Sequence, residues 1–266
     1  MMRVFIVGCL RSGTTLLQAL LGAHSRVFTL PESHFFMRSF AGKRAALFRG
    51  LCASKVLRDW LKKIGRSEYI SMVPRFRWQR KPVIEAFVRI LDDMASREGC
   101  SIWLEKTPGH IFVIDHIERS VPDARFVHVI RDGRAVVASL CNVGRLYPDA
   151  KFWQKPLREF VSLWNRAILK SAQCVGKTNH FFVSYEALTT NPKEELIAIC
   201  RFLGLEFEET MLENYRKTAE RIILPHWHWV KGVTNPIKPI NLEKYYSVLS
   251  ESEREYVEKH LIEIPE

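Results

Sequence analysis

Val4-Phe5-Ile6-Val7-Gly8-Cys9-Leu10-Arg11-Ser12-Gly13-Thr14-Thr15-Leu16-Leu17 packs a strand, a loop and a helix start into one short stretch. The apolar, β-branched run Val4 to Val7 reads as a buried strand. Gly8 and Gly13 bound a loop, and Leu16, Leu17, Leu20 and Leu21 recur at helical spacing. That order places free backbone N–H groups at a helix N-terminus, where they and the helix dipole favour an anion. A phosphate suits the position.

The spacing Gly8-x-x-x-x-Gly13 matches the first part of the nucleotide P-loop, yet Thr14 stands where that pattern has its Lys. The absent Lys is the group that reaches the β/γ-phosphates of a triphosphate, and the hydroxyl after it holds Mg²⁺. Its loss argues against ATP or GTP. What remains is Arg11, the backbone of Gly13 and the hydroxyls of Ser12, Thr14 and Thr15, a cradle for a terminal phosphate without a metal. The plain alternative is a Gly-containing turn that only joins strand to helix.

Leu10-Arg11-Ser12-Gly13-Thr14-Thr15-Leu16-Leu17 resembles the 5′-phosphosulfate loop of sulfotransferases that use 3′-phosphoadenosine 5′-phosphosulfate (PAPS). The Arg variant is similar to tyrosylprotein sulfotransferases and their bacterial relatives. Val129-Ile130-Arg131-Asp132-Gly133-Arg134-Ala135-Val136-Val137-Ala138-Ser139 resembles the 3′-phosphate motif of the same family. The resemblance implies that Arg131 and Ser139 hold the 3′-phosphate, with Ser139 a little over two helical turns beyond Arg131.

The resemblance also implies a general base just after the second strand, which Val27-Phe28-Thr29-Leu30 predicts and Pro31 ends. Glu32 is that candidate. A carboxylate beside an alcohol or phenol can take its proton as the oxygen attacks sulfur. His34 is the rival base, and an N-cap or surface role is the bland alternative for Glu32. Ser101-Ile102-Trp103-Leu104-Glu105-Lys106-Thr107-Pro108 predicts a strand stopping at Pro, and Lys106 matches a family Lys that neutralises charge on the transferring group. A Lys106–Glu32 pair is the other reading. Tyr185, in a Tyr-Glu-x-Leu segment after the last strand, is either a nucleotide neighbour or a core Tyr. Lys238, in Val-Thr-Asn-Pro-Ile-Lys-Pro-Ile-Asn, is a cofactor-loop candidate. Arg134 and Arg145 are weaker ones.

Composition sets the frame. The 266 residues are 47% hydrophobic and 26% charged, enough for one large α/β domain, and no Ser/Gly/Pro linker divides them. The fold expected is a single three-layer α/β/α domain over 1–266 with a central, mostly parallel sheet. It is P-loop-like, of sulfotransferase type, with a basic helical insert at about 38–98. No apolar run nears the roughly 20 residues of a membrane span. With the first strand so early, no signal peptide is expected and a cytoplasmic setting is, unlike the Golgi membrane proteins among the animal family members. Six spread cysteines without a C-x-x-C pair predict core thiols, with neither a disulfide framework nor a metal site. His226 and His228, alternate residues without a third ligand, do not alter that.

The formal charge of +11 is local. Between Arg38 and Lys81 stand 13 Lys or Arg against Asp59 and Glu68, while the rest of the chain holds 27 basic and 27 acidic residues. An anionic partner near that segment, or a solvated face, explains the surplus. Its amphipathic pattern from 44 to 65 reads as a helical layer on the core, a lid over the acceptor cleft or a membrane-surface contact.

These readings converge on transfer of the sulfuryl group from PAPS to a hydroxyl or phenol of an acceptor, releasing adenosine 3′,5′-bisphosphate (PAP), with no metal. The acceptor is unidentified and suits an anionic peptide, sugar or lipid surface rather than a nucleic acid. The rival classes are a nucleotide kinase, which lacks its P-loop Lys here, and a non-catalytic nucleotide- or membrane-binding protein.

Overall fold

A computed structural model describes residues 1–40, 49–75, 79–224, 232–239 and 241–264. The strands are β1 (Met2–Gly8), β2 (Val27–Thr29), β3 (Ile102–Lys106), β4 (Ala124–Ile130) and β5 (His180–Ser184). They form one sheet in the order β2-β3-β1-β4-β5 with every pairing parallel. Parallel neighbours need crossovers, and helices supply them.

Strand periodicity sorts side chains to the two faces. Val4 and Ile6 of β1, Leu104 of β3 and Val129 of β4 join one core, against α1 (Thr14–Leu21) and the later helices α9 (Pro192–Leu203) and α11 (Tyr215–Ile222). Phe5, Val7, Trp103 and Phe126 point the other way, into an aromatic core with Phe35, Phe36 and Phe87. Covering this second face are α2 (Phe35–Phe40), α3 (Arg49–Lys63), α4 (Lys81–Arg97), α5 (Ile114–Ser120), α6 (Gly133–Leu146) and α7 (Leu157–Ala172). Behind α6 pack α12 (Glu243–Val248) and α13 (Glu251–His260), the latter opened by a capping box of Ser250 and Glu253. Two short helices, α8 (Tyr185–Thr190) and α10 (Thr210–Glu213), precede α9 and α11 in sequence.

This is the expected three-layer architecture, with the sheet parallel throughout. The basic amphipathic segment is helical over 49–63 and buries Leu57, Trp60 and Leu61, and Trp60 donates to the Pro31 carbonyl at 3.2 Å. It is a layer on the core beside the loop after β2. Residues 44–48 of the predicted pattern, and the Trp, Pro and His run at 225–231, lie outside the described residues. Among the described residues no helix is long and apolar enough to cross a membrane.

Candidate active site

Each of the five strands hands its carboxyl end to one place. β1 leads to Arg11 and Gly13, β2 to Glu32, β3 ends on Lys106, β4 leads to Arg131 and β5 to Tyr185. In an open parallel sheet that edge is where ligands gather.

The loop after β1 is tightly wound. Arg11 has φ 70° and Gly13 φ 96°, both left-handed, and Gly13 sits at the N-cap of α1. A Cβ at Gly13 would stand 2.0 Å from the Tyr185 ring, so only glycine lets that ring lie on the loop. The Ser12 hydroxyl donates to the Cys9 carbonyl at 2.6 Å and is buried. The Ser12 N–H donates to the same carbonyl at 3.2 Å, so both polar groups of Ser12 stitch the loop in this structure. Thr14 is buried at the start of α1, and Thr15 accepts from Lys106 Nζ at 3.0 Å. Burial pushes the Cys9 thiol up to about 12, which keeps it un-ionised and unreactive at neutral pH.

Two guanidiniums meet at this loop. Arg131 donates to the Arg11 carbonyl at 2.9 Å and lies 4.4 Å over the Tyr185 ring, while its buried Nε has no hydrogen-bond partner. Arg11 Nε donates to Ser139 Oγ at 3.1 Å. Burial, then the neighbouring Arg131, brings Arg11 down to about 10, and burial also lowers Arg131. Among the described residues neither guanidinium forms an ion pair with a carboxylate. Ser139 and Arg131, the expected 3′-phosphate pair, both reach Arg11 here, one through a side chain and the other through the backbone. Tyr185 belongs to the site, as the shelf under Arg131.

Beside them stands a compensated pair. Lys106 Nζ, almost fully buried, forms an ion pair with Glu32 Oε1, and His34 Nε2 lies 3.4 Å from Glu32 Oε2. Glu32 is not a helix cap, since α2 begins at Phe35. Burial lowers the His34 pKa, with Glu32 pulling the other way, and its φ of 51° is left-handed. Arg134 pairs with Asp132 at 2.6 Å and Arg145 with Glu253 at 3.0 Å; both are surface ion pairs rather than site residues. Lys238 is exposed and takes no part in the hydrogen bonds of the site.

Two further groups escape sequence reading. Lys244 on α12 is exposed, and partial desolvation, then Arg11 and Arg131, hold it below its ordinary value, so it adds to the positive field at the loop. Glu105, next to Lys106 on β3, is buried against the loop after β2. Its Oε1 accepts from Ser33 N at 3.1 Å, Ser33 Oγ at 2.7 Å and Thr107 Oγ1 at 2.7 Å, and its Oε2 lies 2.9 Å from His110 Nδ1. Burial alone would raise its pKa; His110 and the hydrogen bonds outweigh that and hold it at about 2. An acid inside the apolar run Ile102-Trp103-Leu104 was the available signal, because a buried carboxylate needs partners.

A glycine-bounded anion loop at a helix start, with uncompensated guanidiniums and an acid–lysine pair alongside, defines an α/β protein that takes a phosphate-bearing ligand. The profile of the sulfotransferase family matches residues 3–209, and the chain belongs to that family. It is 28% identical over 244 residues to protein-tyrosine sulfotransferase 2 of Gallus gallus, covering 90% of this chain and 61% of the relative. To the protein-tyrosine sulfotransferase of Drosophila melanogaster it is 27% identical, covering 90% of this chain and 45% of the relative. The chain thus spans only about half of such relatives' length. Among solved structures, the sulfotransferase domain of a Synechococcus olefin synthase superposes with a TM-score of 0.58 at 21% identity, covering 99% and 95% of the two chains. A mouse sulfotransferase in complex with PAP gives 0.59 at 12% identity, over 97% and 82%. Likeness at this identity is a likeness of fold.

Proposed function

We propose that the protein transfers the sulfuryl group of PAPS to a hydroxyl or phenol and releases PAP. The observation that carries this reading is the pair Arg11 and Arg131, half-buried and in contact with each other, with no ion pair to a carboxylate among the described residues and with an unpartnered Nε on Arg131. Buried like charges favour a ligand that brings the opposite charge. Two phosphates on one nucleotide do so, the 5′ group at the β1–α1 loop and the 3′ group at Arg131 and Ser139. Lys244, and Lys238 once a ligand draws its segment in, add to that charge.

For the transfer, Glu32 takes the acceptor proton while the acceptor oxygen bonds to sulfur and the bond from sulfur to the 5′-phosphate oxygen breaks, its electron pair leaving with PAP. Lys106 and Arg11 balance the charge that grows on the sulfuryl and leaving oxygens. Lys106 must shift from Glu32 toward those oxygens, which frees the carboxylate to act as base. His34, 3.4 Å away, orients Glu32.

The names of the relatives make a peptide tyrosine the favoured acceptor. In keeping with this, the basic helix α3 packs beside the loop after β2 that carries Glu32, through the Trp60 bond to the Pro31 carbonyl, and acidic residues flanking the tyrosine suit its charge. The test is calorimetry with PAP, ATP plus Mg²⁺ and adenosine 5′-phosphate, followed by sulfuryl transfer to tyrosine peptides with acidic or neutral flanks. PAP binding well ahead of the other two, with faster transfer to acidic peptides, is the expected result; ATP binding with Mg²⁺ and no PAP binding would overturn it.

A further inference from the structure

At the opposite end of β5 from the candidate active site, three buried side chains point their ligand atoms at one spot. His128 of β4, His180 of β5 and Cys174, just beyond α7, have ring nitrogens and sulfur all within 4.8 Å of one another. His128 Nε2 and His180 Nδ1 face each other at 2.8 Å. The outer nitrogens are anchored: His180 Nε2 to Glu118 Oε1 at 2.9 Å and His128 Nδ1 to Ser171 Oγ at 3.0 Å, with Lys177 donating to the other Glu118 oxygen at 2.7 Å. The ring planes are fixed as well, His128 stacked on Phe182 at 4.5 Å and His180 on Phe126 at 4.7 Å.

We infer that His128, His180 and Cys174 form a transition-metal site of two imidazoles and one thiolate, suited to Cu(I). An imidazole ligand characteristically donates its far N–H to a carboxylate or other acceptor, which sets its tautomer and orientation, and both rings here have such partners in place. Glu118 accepts only, so His180 carries its proton on Nε2 and offers the Nδ1 lone pair inward. Without metal, His128 bridges the gap with a proton on Nε2. On metal binding that proton moves to Nδ1, where Ser171 accepts it, and the Cys174 thiol proton leaves, so one proton is released overall.

Softness and charge select the ion. Thiolate with imidazole favours Cu(I) or Zn(II). Structural zinc takes four ligands, and among the described residues the cluster supplies three. Cu(I) with one thiolate is also neutral, which a buried site favours.

The test is anaerobic titration of the whole chain with Cu(I) against a chromophoric chelator, with X-ray absorption of the complex. One Cu(I) per chain, bound by two nitrogens and one sulfur with release of one proton, is expected. Cys174→Ser should weaken binding by at least about 100-fold, and Glu118→Gln, a change at a partly exposed side chain that leaves the core intact, by about 10- to 100-fold. A sulfur-only shell, or affinity unchanged in both variants, overturns the site. Zn(II) held by these residues with a fourth ligand, while Cu(I) binds elsewhere, overturns the choice of ion.

Discussion

The two halves of the candidate active site handle charge in opposite ways. On the loop side, Arg11 and Arg131 are half-buried together, and among the described residues neither forms an ion pair, with Glu186 and Asp132 favouring the charge of Arg131 only from a distance. On the acceptor side, Lys106 and Glu32 neutralise each other. On the proposed function, the first half binds the anionic donor, and the second half reacts only once that anion draws Lys106 away from Glu32. Order of events is therefore written into the difference between a bare pair of cations and a closed ion pair.

Removing the base tests the reacting half most severely. Glu32→Gln should lower kcat by about 10²–10⁴-fold with PAP affinity nearly unchanged. Near-normal turnover would move the proton acceptor to another residue, and PAP binding lost with it would erase the distinction between the halves.

Breaking the bare pair should affect binding. Arg131→Met is expected to weaken PAP by about 10- to 100-fold, the value of a charge-assisted hydrogen bond. Arg11→Met should do likewise while leaving the thermal midpoint of the free protein no lower, because a partly desolvated cation without an ion pair has been removed. A large drop in that midpoint would mean that Arg11 is held for the fold rather than for the ligand.

Glu105 sharpens the comparison through pH. Its folded pKa of about 2 is below its ordinary 4.5, so it contributes stability above the ordinary value, and that contribution fades as pH falls from about 4.5 toward 2. Glu105→Gln should cost about 1–3 kcal/mol at neutral pH in urea melts and flatten stability over that acid range. By loosening Ser33 and His34 it should raise KM for the acceptor and spare PAP binding. Equal acid profiles for both proteins would show that the buried knot does not hold the acceptor side.

The smallest effect belongs to Lys244→Ala. A largely solvated third cation should contribute only a few-fold in PAP affinity, most clearly at low salt. Affinity unchanged at low ionic strength would confine the loop's charge to the two arginines.

Sequence reading reached the backbone plan because strand, loop and helix are local signals: Val4 to Val7, Gly13 and the Leu repeat need only neighbours in the chain to be read. Arg11, Glu32, Lys106, Arg131 and Tyr185 were legible as strand-end residues within motifs. Who bonds to whom was not, since Arg11 to Ser139 spans 128 residues and Lys106 to Thr15 spans 91. The Ser12 bond within its own loop was hidden too, because a loop hydroxyl is equally able to bond an anion or its own backbone. Lys238 stood out by its motif, whereas Lys244 enters through the packing of α12 on α6, which no local pattern encodes.

That every strand supplies one wall of the site has a consequence for how the chain matures. β1 lies at the centre of the sheet, but its partners β3 and β4 arrive only after residue 101, and β5 after 179. Parallel neighbours this distant in sequence are assembled late and slowly. A half-made chain therefore lacks the assembled site, and on the proposed function nucleotide capture becomes a report that folding has finished. In a cell the donor would act as an inspector: it shifts the balance toward complete molecules, and leaves partly assembled ones to the proteases.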